Sequence, residues 1–315
     1  MLRYIINNNI RAFRSAIDLR AQLKSNKIEL TLNGGFGDIV LDSQFLMTLR
    51  KENPEAEITI YYRDDESTAD PSNFSWGKTR HYSSSEGEKN NPISEWLKAL
   101  NCVDEFIGCN IDQSERGIRV YPESFHKIFG GYWTPRQFNE NVNSRVFGAH
   151  QTRKNKILLQ FIHDIYDNET PIVALHLRRN SPKIIELARL IQKKVPKVKF
   201  LLLGSSEHQT LPDTSDLLHK ISLIDSYSKG LDTLDLLSLT RKVDLFIGGR
   251  GGFELFHWLA EVPSVCFFDE MGMKEVKQLW WHRSLWENNR INQLYQTDSN
   301  ISEIWEHISR ESILK

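Results

Sequence analysis

The sequence predicts an α/β protein built from two doubly wound, Rossmann-like parallel-sheet domains. Three observations carry that expectation. Apolar runs of strand length alternate with runs of helix length along most of the chain. Several of those runs are nearly unbroken, as in 172–177 and 198–203, which marks strands covered on both faces. The alternation also starts twice, near residues 28 and 171, and the first start opens a βαβ unit with its right-handed crossover. At 315 residues the chain is long enough for two domains, each with its own core. The expected division is 1–160 and 161–315.

In order along the chain, 28–32 is a strand and 39–52 a helix whose apolar positions include Leu41, Phe45, Leu46 and Leu49. Pro54 ends that helix, and EITIYY over 57–62 is the next strand. Residues 64–92 are polar and rich in Ser, Asp, Asn and Gly, a long loop of the kind that in a compact domain is functional or disordered. A short helix over 93–100 and a strand over 105–107 follow. The span 121–147 carries Tyr121, Phe125, Phe129, Tyr132, Trp133, Phe138 and Phe147 and resists assignment.

The second series has strands at 172–177, 198–203, 221–224, 244–247 and 264–268. Helices are expected at 183–194, stopped near Pro196, and at 233–241 and 253–260. A last helix over 301–314 is able to pack on either domain. There is no internal repeat beyond this echo of architecture, and no low-complexity tract.

Composition narrows the function. Hydrophobic residues at 40% and charged residues at 26% suit a soluble globular protein, and a net charge of −1 argues against a general nucleic-acid partner. Cys102, Cys109 and Cys266 make neither a disulfide framework nor a zinc pattern, which fits a reducing cytoplasm. No apolar run reaches the roughly 18 residues of a membrane span. The first twenty residues interleave Ile5, Ile6, Ile10, Phe13 and Ile17 with Arg3, Arg11, Arg14 and Arg20. They read as a helix packed on its own domain, with peripheral contact at the inner face of a membrane as the alternative.

Ligands of doubly wound sheets bind beyond the carboxyl ends of the strands, and four loops there carry conspicuous residues. The first follows strand 28–32: Gly34, Gly35 and Gly37 allow positive φ and close backbone approach, and Asp38 stands at the helix start. The glycine spacing is not GxGxxG and no Lys-Ser/Thr follows, so neither a dinucleotide fingerprint nor a P-loop is present. The turn is either a capped tight turn or the mount of a catalytic carboxylate.

The second loop begins with His176, Leu177, Arg178 and Arg179. Guanidinium groups at a strand end suit a diphosphate; the alternative is a surface cluster paired with acids. The third is Gly204-Ser205, where small residues admit a ligand near the backbone, or simply make a β–α turn. The fourth is Gly248-Gly249-Arg250-Gly251-Gly252. Four glycines and an arginine at a helix N-terminus combine free N–H groups, the helix dipole and a fixed charge into an anion site. Glu254, in the first helical turn, is placed to accept hydrogen bonds from ribose or sugar hydroxyls. His257, about one turn further on, is either a ligand contact or a packed histidine. Trp280, Trp281, His282 and Trp286 read as packing, with sugar stacking as the lesser alternative. No metal-ligand cluster is expected.

Through these residues the chain resembles glycosyltransferases of the GT-B fold. GGFGDIVLDSQFLMTLRKENPEAEITIYY is similar to the opening of bacterial ADP-heptose lipopolysaccharide heptosyltransferases, with Gly37-Asp38 at that family's Gly-Asp pair. IGGRGGFELFHWLAEVPSV resembles the same family's donor loop. That family carries Asp-Thr-Gly-x-x-His there, whereas this chain has Arg250-Gly251-Gly252-Phe253-Glu254-Leu255, and His257 falls two residues late. VALHLRRNSPK resembles the His-x-Arg-Arg motif of GDP-fucose-dependent fucosyltransferases, with Asn180 in place of their aspartate.

The resemblance implies two domains facing a cleft. It further implies metal-independent transfer from a nucleotide-sugar donor to a glycan or glycolipid acceptor of lipopolysaccharide type. Asp38 would be the general base, no bound cofactor would be needed, and polysaccharide biosynthesis in the cytoplasm would be the setting. A non-catalytic nucleotide or glycan binding protein and a nucleotide-sugar epimerase remain the alternatives.

Overall fold

The structure is a computed structural model that describes residues 14–15, 17–32, 36–63, 92–109, 117–119, 160, 169–177, 181–204, 213–224, 233–249, 252–270 and 292–314. The chain divides into two compact units, Met1–Trp133 with Asn141–Ala149, and Thr134–Glu140 with His150–Lys315.

In the first unit, β1 (Lys27–Leu32), β2 (Glu57–Arg63), β3 (Glu105–Cys109) and β4 (Ile118–Arg119) form a parallel sheet in the order β3-β2-β1-β4. Helix α1 (Phe36–Glu52) joins β1 to β2, and α2 (Pro92–Ala99) precedes β3. Ile28, Leu30 and Leu32 of β1 are wholly buried, as are Ile58 and Ile60 of β2. Ile39, Val40, Phe45, Leu46 and Leu49 of α1 and Trp96 and Leu97 of α2 are buried as well.

Helix α1 has no single apolar stripe: Asp42, Ser43 and Gln44 are buried as fully as its apolar residues. The Ser43 hydroxyl donates to the Val40 carbonyl at 2.6 Å. The helix closes where Asn53 N–H donates to Leu49 O, and Pro54 stands in the turn beyond. β4 has no sequence signal of its own. A Cβ at Gly117 would come within 2.6 Å of the Leu30 carbonyl carbon, so only glycine lets β4 approach β1.

In the second unit, six strands form the sheet: β5 (Ile172–His176), β6 (Lys199–Gly204), β7 (Lys220–Ile224), β8 (Leu245–Gly249), β9 (Ser264–Phe268) and β10 (Asn292–Gln296). Their order is β10-β9-β8-β5-β6-β7, and every pairing is parallel. Counted within the unit and read from β7, that is 3-2-1-4-5-6, the doubly wound dinucleotide-fold order. In this unit β10 is the strand absent from the sequence-based expectation.

Helices cover both faces. On one, Val173, Leu175, Ile247, Val265 and Phe267 pack under α3 (Ser181–Lys194) and α6 (Ile301–Arg310). On the other, Ile172, Ala174, Leu201, Phe246, Cys266 and Phe268 pack under α4 (Thr233–Thr240) and α5 (Gly252–Leu259). The last helix therefore belongs to the second unit: Ile301, Ile304 and Ile308 are buried in the α3-side core. Asn300 caps it, its Oδ1 accepting from Ser302 N–H at 2.9 Å. Among the described residues, no helix is long and apolar enough to cross a membrane.

The two units share a short sequence echo. Val103-Asp104-Glu105-Phe106-Ile107-Gly108 enters β3, and Val243-Asp244-Leu245-Phe246-Ile247-Gly248 enters β8. Each aspartate makes the same two-point clamp on the neighbouring strand. Asp104 Oδ2 accepts Ile58 N–H at 2.7 Å while Asp104 N–H donates to Ile58 O at 2.9 Å. Asp244 Oδ2 accepts Ile172 N–H at 2.8 Å while its own N–H donates to Ile172 O at 2.9 Å. The clamp sets strand register at the amino ends of the sheets, opposite the ends where ligands bind.

Candidate functional site

The strand orders locate the candidate sites. In an open parallel sheet, the crevice forms where the winding direction reverses, beyond the carboxyl ends of the two strands involved. In the first unit those strands are β1 and β4; in the second they are β5 and β8.

At the first unit's reversal, β1 leads into α1. The helix begins at Phe36, so Gly37 is its second residue and Asp38 its third, rather than the helix opening three residues later as the sequence suggested. Asp38 thus lies in the first turn, where a carboxylate is favoured by the helix dipole. Gly34 and Gly35 lie outside the described residues.

At the second unit's reversal the side chains are described in more detail. His176 ends β5 and is only 4% exposed, on the α4/α5 face of the sheet. Leu177, next along, is buried in the α3-side core, as strand alternation requires. Arg178, Arg179, Ser205, Arg250 and Gly251 lie outside the described residues, as do Trp280, Trp281, His282 and Trp286.

Two glycines flank His176, and they do different things. Gly204, at the end of β6, has φ +135°, a conformation that side-chain-bearing residues avoid; the nearest atom to a Cβ there would be His176 Cδ2 at 3.8 Å. Gly248 on β8 sits one step beyond the Leu175–Ile247 pairing. A Cβ at Gly248 would meet Phe246 Cζ at 2.6 Å and His176 Cβ at 3.2 Å. Of the glycines read as one anion loop, Gly248 makes room for protein rings. Gly249 ends the strand and Gly252 opens α5.

Helix α5 begins beyond β8. Phe253, its second residue, lays its ring against His176, with centroids 5.1 Å apart and planes at 60°. Glu254 is 2% exposed. Its charge is felt by Cys266 on β9, whose thiol is pushed well up by burial first and by the Glu254 carboxylate second, against a hydrogen bond with Trp258. The Glu254 side chain is therefore held inside the unit, between α5 and β9.

His257 has no exposed surface. Its ring stacks on Phe246 at 4.1 Å, and its Nδ1–H donates to the Phe253 carbonyl at 2.5 Å. Burial pushes its pKa down to about 3 against the pull of the Phe253 bond, so the ring is neutral at physiological pH. Of the two readings of His257, packing is the one its side chain occupies. Phe246 and Phe253 were not singled out in the sequence. The signal available was an aromatic two residues before a strand glycine and a histidine four residues after a helix-opening phenylalanine.

The arrangement brings His176, Gly204, Gly248 and Phe253 together from β5, β6, β8 and α5. It sets the first turn of α5 beside the end of β5, and the N-terminus of a helix favours negative charge.

No protein-family model matches the chain, and no curated protein matches it in sequence. Solved structures do resemble it. A family 9 glycosyl transferase from Veillonella parvula is 12% identical with a TM-score of 0.45, covering 92% of each chain. ADP-heptose lipopolysaccharide heptosyltransferase II of E. coli is 10% identical with a TM-score of 0.49, covering 90% of this chain and 98% of that one. UDP-GlcNAc 2-epimerase of Methanocaldococcus jannaschii is 11% identical with a TM-score of 0.39, covering 86% of this chain and 72% of that one.

Proposed function

We propose that the chain is a metal-independent glycosyltransferase of GT-B type, moving a sugar from a nucleotide-sugar donor to a glycan or lipopolysaccharide-type acceptor. The observation that carries this reading is the strand order of the second unit, whose reversal lies between the strand ending in His176 and the strand leading to the Gly249–Gly252 loop. That is the position at which doubly wound domains receive nucleotides.

Transfer needs a base for the acceptor hydroxyl and positive potential on the leaving diphosphate. Asp38, in the first turn of α1, is the group assigned to take the hydroxyl proton. Arg178, Arg179 and Arg250, with the N–H groups at the start of α5, are assigned to the diphosphate. They hold charge at every working pH and leave no electrostatic task for a metal ion. His176 and Gly204 line the donor side of the same strand ends. Glu254, being held inside the unit, reaches a ribose only through a shift of its side chain, and His257 holds the first turn of α5 through the Phe253 carbonyl.

The test is thermal shift against ADP-, GDP-, UDP- and dTDP-sugars, followed by assay of released nucleoside diphosphate. One donor at a hundredfold excess over its Kd stabilises by ~2.7 kcal/mol. Release that depends on an added acceptor supports transfer. Binding without release indicates a nucleotide-recognition protein, and sugar conversion without acceptor indicates an epimerase.

A further inference from the structure

We propose that His257 is a positioning residue for the nucleotide site of the second unit, fixing the first turn of α5 and, through Phe253, the ring of His176. The inference rests on the site reading given above. Three ties run through this one residue. Its Nδ1–H holds the Phe253 carbonyl at 2.5 Å, its ring stacks on Phe246 of β8 at 4.1 Å, and its carbonyl accepts Val262 N–H at 2.9 Å where the chain leaves the helix. The helix end is completed by Glu261 at φ +59°. Helix α5 has only eight residues, so these ties span it from the first turn to the exit. An isolated helix of this length does not hold its own first turn.

The consequence reaches the site because the residue held is Phe253, whose ring contacts His176. A ring that merely fills space would not need a nitrogen. His257 stays neutral by burial and keeps its proton on Nδ1 for the Phe253 carbonyl, while Nε2 accepts no hydrogen bond among the described residues. Leaving a buried acceptor unbonded costs free energy that a phenylalanine would avoid. The Nδ1–H bond is what offsets it.

Two substitutions separate support from simple packing. His257→Phe keeps the stack and loses the donor; His257→Asn loses the stack and keeps a donor at the Nδ1 position. The first readout is the NMR resonance of the His176 ring protons, which sense the Phe253 ring. The second is affinity for ADP, GDP, UDP and dTDP by calorimetry.

His257→Phe should move the His176 resonances and weaken the bound nucleotide about 5- to 10-fold, the scale of one hydrogen bond, with circular dichroism unchanged. His257→Asn should recover affinity to within about 3-fold of the parent. Unmoved His176 resonances in the Phe variant overturn the proposal, as do moved resonances with unchanged affinity. If the parent protein binds none of the four nucleotides, the functional reading fails, and the resonances alone decide the role of His257.

Discussion

The rings of His176 and Phe253 stand 5.1 Å apart, and through this contact the end of β5 meets the first turn of α5. One ring comes from a strand and the other from a helix 77 positions later, yet both serve the reversal point of one sheet. Their contact ties the end of β5 to the helix that follows β8.

The first prediction is an energetic coupling between these two residues. In a double-mutant cycle of His176→Ala and Phe253→Ala, the interaction energy from urea unfolding should be about 0.5–1.5 kcal/mol, as for other aromatic pairs. Additive single effects would mean that the rings are neighbours without consequence.

The two glycines beside His176 should fail for different reasons. Gly248→Ala forces a methyl into the Phe246 ring and should cost about 1–3 kcal/mol, a cost relieved in a Phe246→Leu background. Gly204→Ala has room but the wrong φ, so it should cost about 1–3 kcal/mol in either background. Relief of both by Phe246→Leu would contradict the assignment.

Stability should carry a titration from His257. Below the ordinary value of 6.5 the unfolded chain binds a proton that the folded chain refuses until about pH 3. The contribution is intact above pH 6.5 and is lost as pH falls, by ~1.4 kcal/mol per unit. Between pH 7 and pH 5 the wild type should lose about 2 kcal/mol more than His257→Phe, which has no such proton. Denaturation curves at the two pH values measure it, and parallel losses would refute it.

The strand clamps should matter in proportion to their bonds. Asp244→Ala removes the acceptor for Ile172 N–H and should destabilise by about 1–2 kcal/mol. Asp104→Ala should act similarly through Ile58, and there Arg50 adds a pH effect. Burial raises the Asp104 carboxyl, but the Ile58 N–H and Arg50 outweigh it and hold the group below its ordinary range. Its stabilisation is therefore present above the usual carboxylate pKa and lost as acid protonates it. The loss should vanish in Asp104→Ala when the acid limbs of the two unfolding curves are compared.

Much of this architecture was legible in the chain. β5, β6, β8 and β9 are unbroken apolar runs bounded by turn residues, and the structure places them within about two residues of expectation. β4 and β10 were not legible. The first is a two-residue strand admitted by Gly117, and the second, NQLYQ, is an edge strand with little to bury. The last helix was legible but its place was not, because a helix pattern cannot name its partner; the partner is α3. For the candidate site, the rule that ligands sit at strand ends pointed to His176 and the glycine loop. It could not tell a glycine that admits a ligand from one that admits Phe246, because that depends on where the Phe246 ring turns.

In the proposed function, Asp38 drives sugar transfer while the second unit binds the donor. The most direct measurement is acceptor-dependent release of nucleoside diphosphate by Asp38→Ala, alongside the variant's Kd for the same nucleotide. A rate loss of about 100-fold or more is expected, with Kd within about 3-fold of the wild type. Full activity in Asp38→Ala, or loss of nucleotide affinity in step with activity, would contradict it.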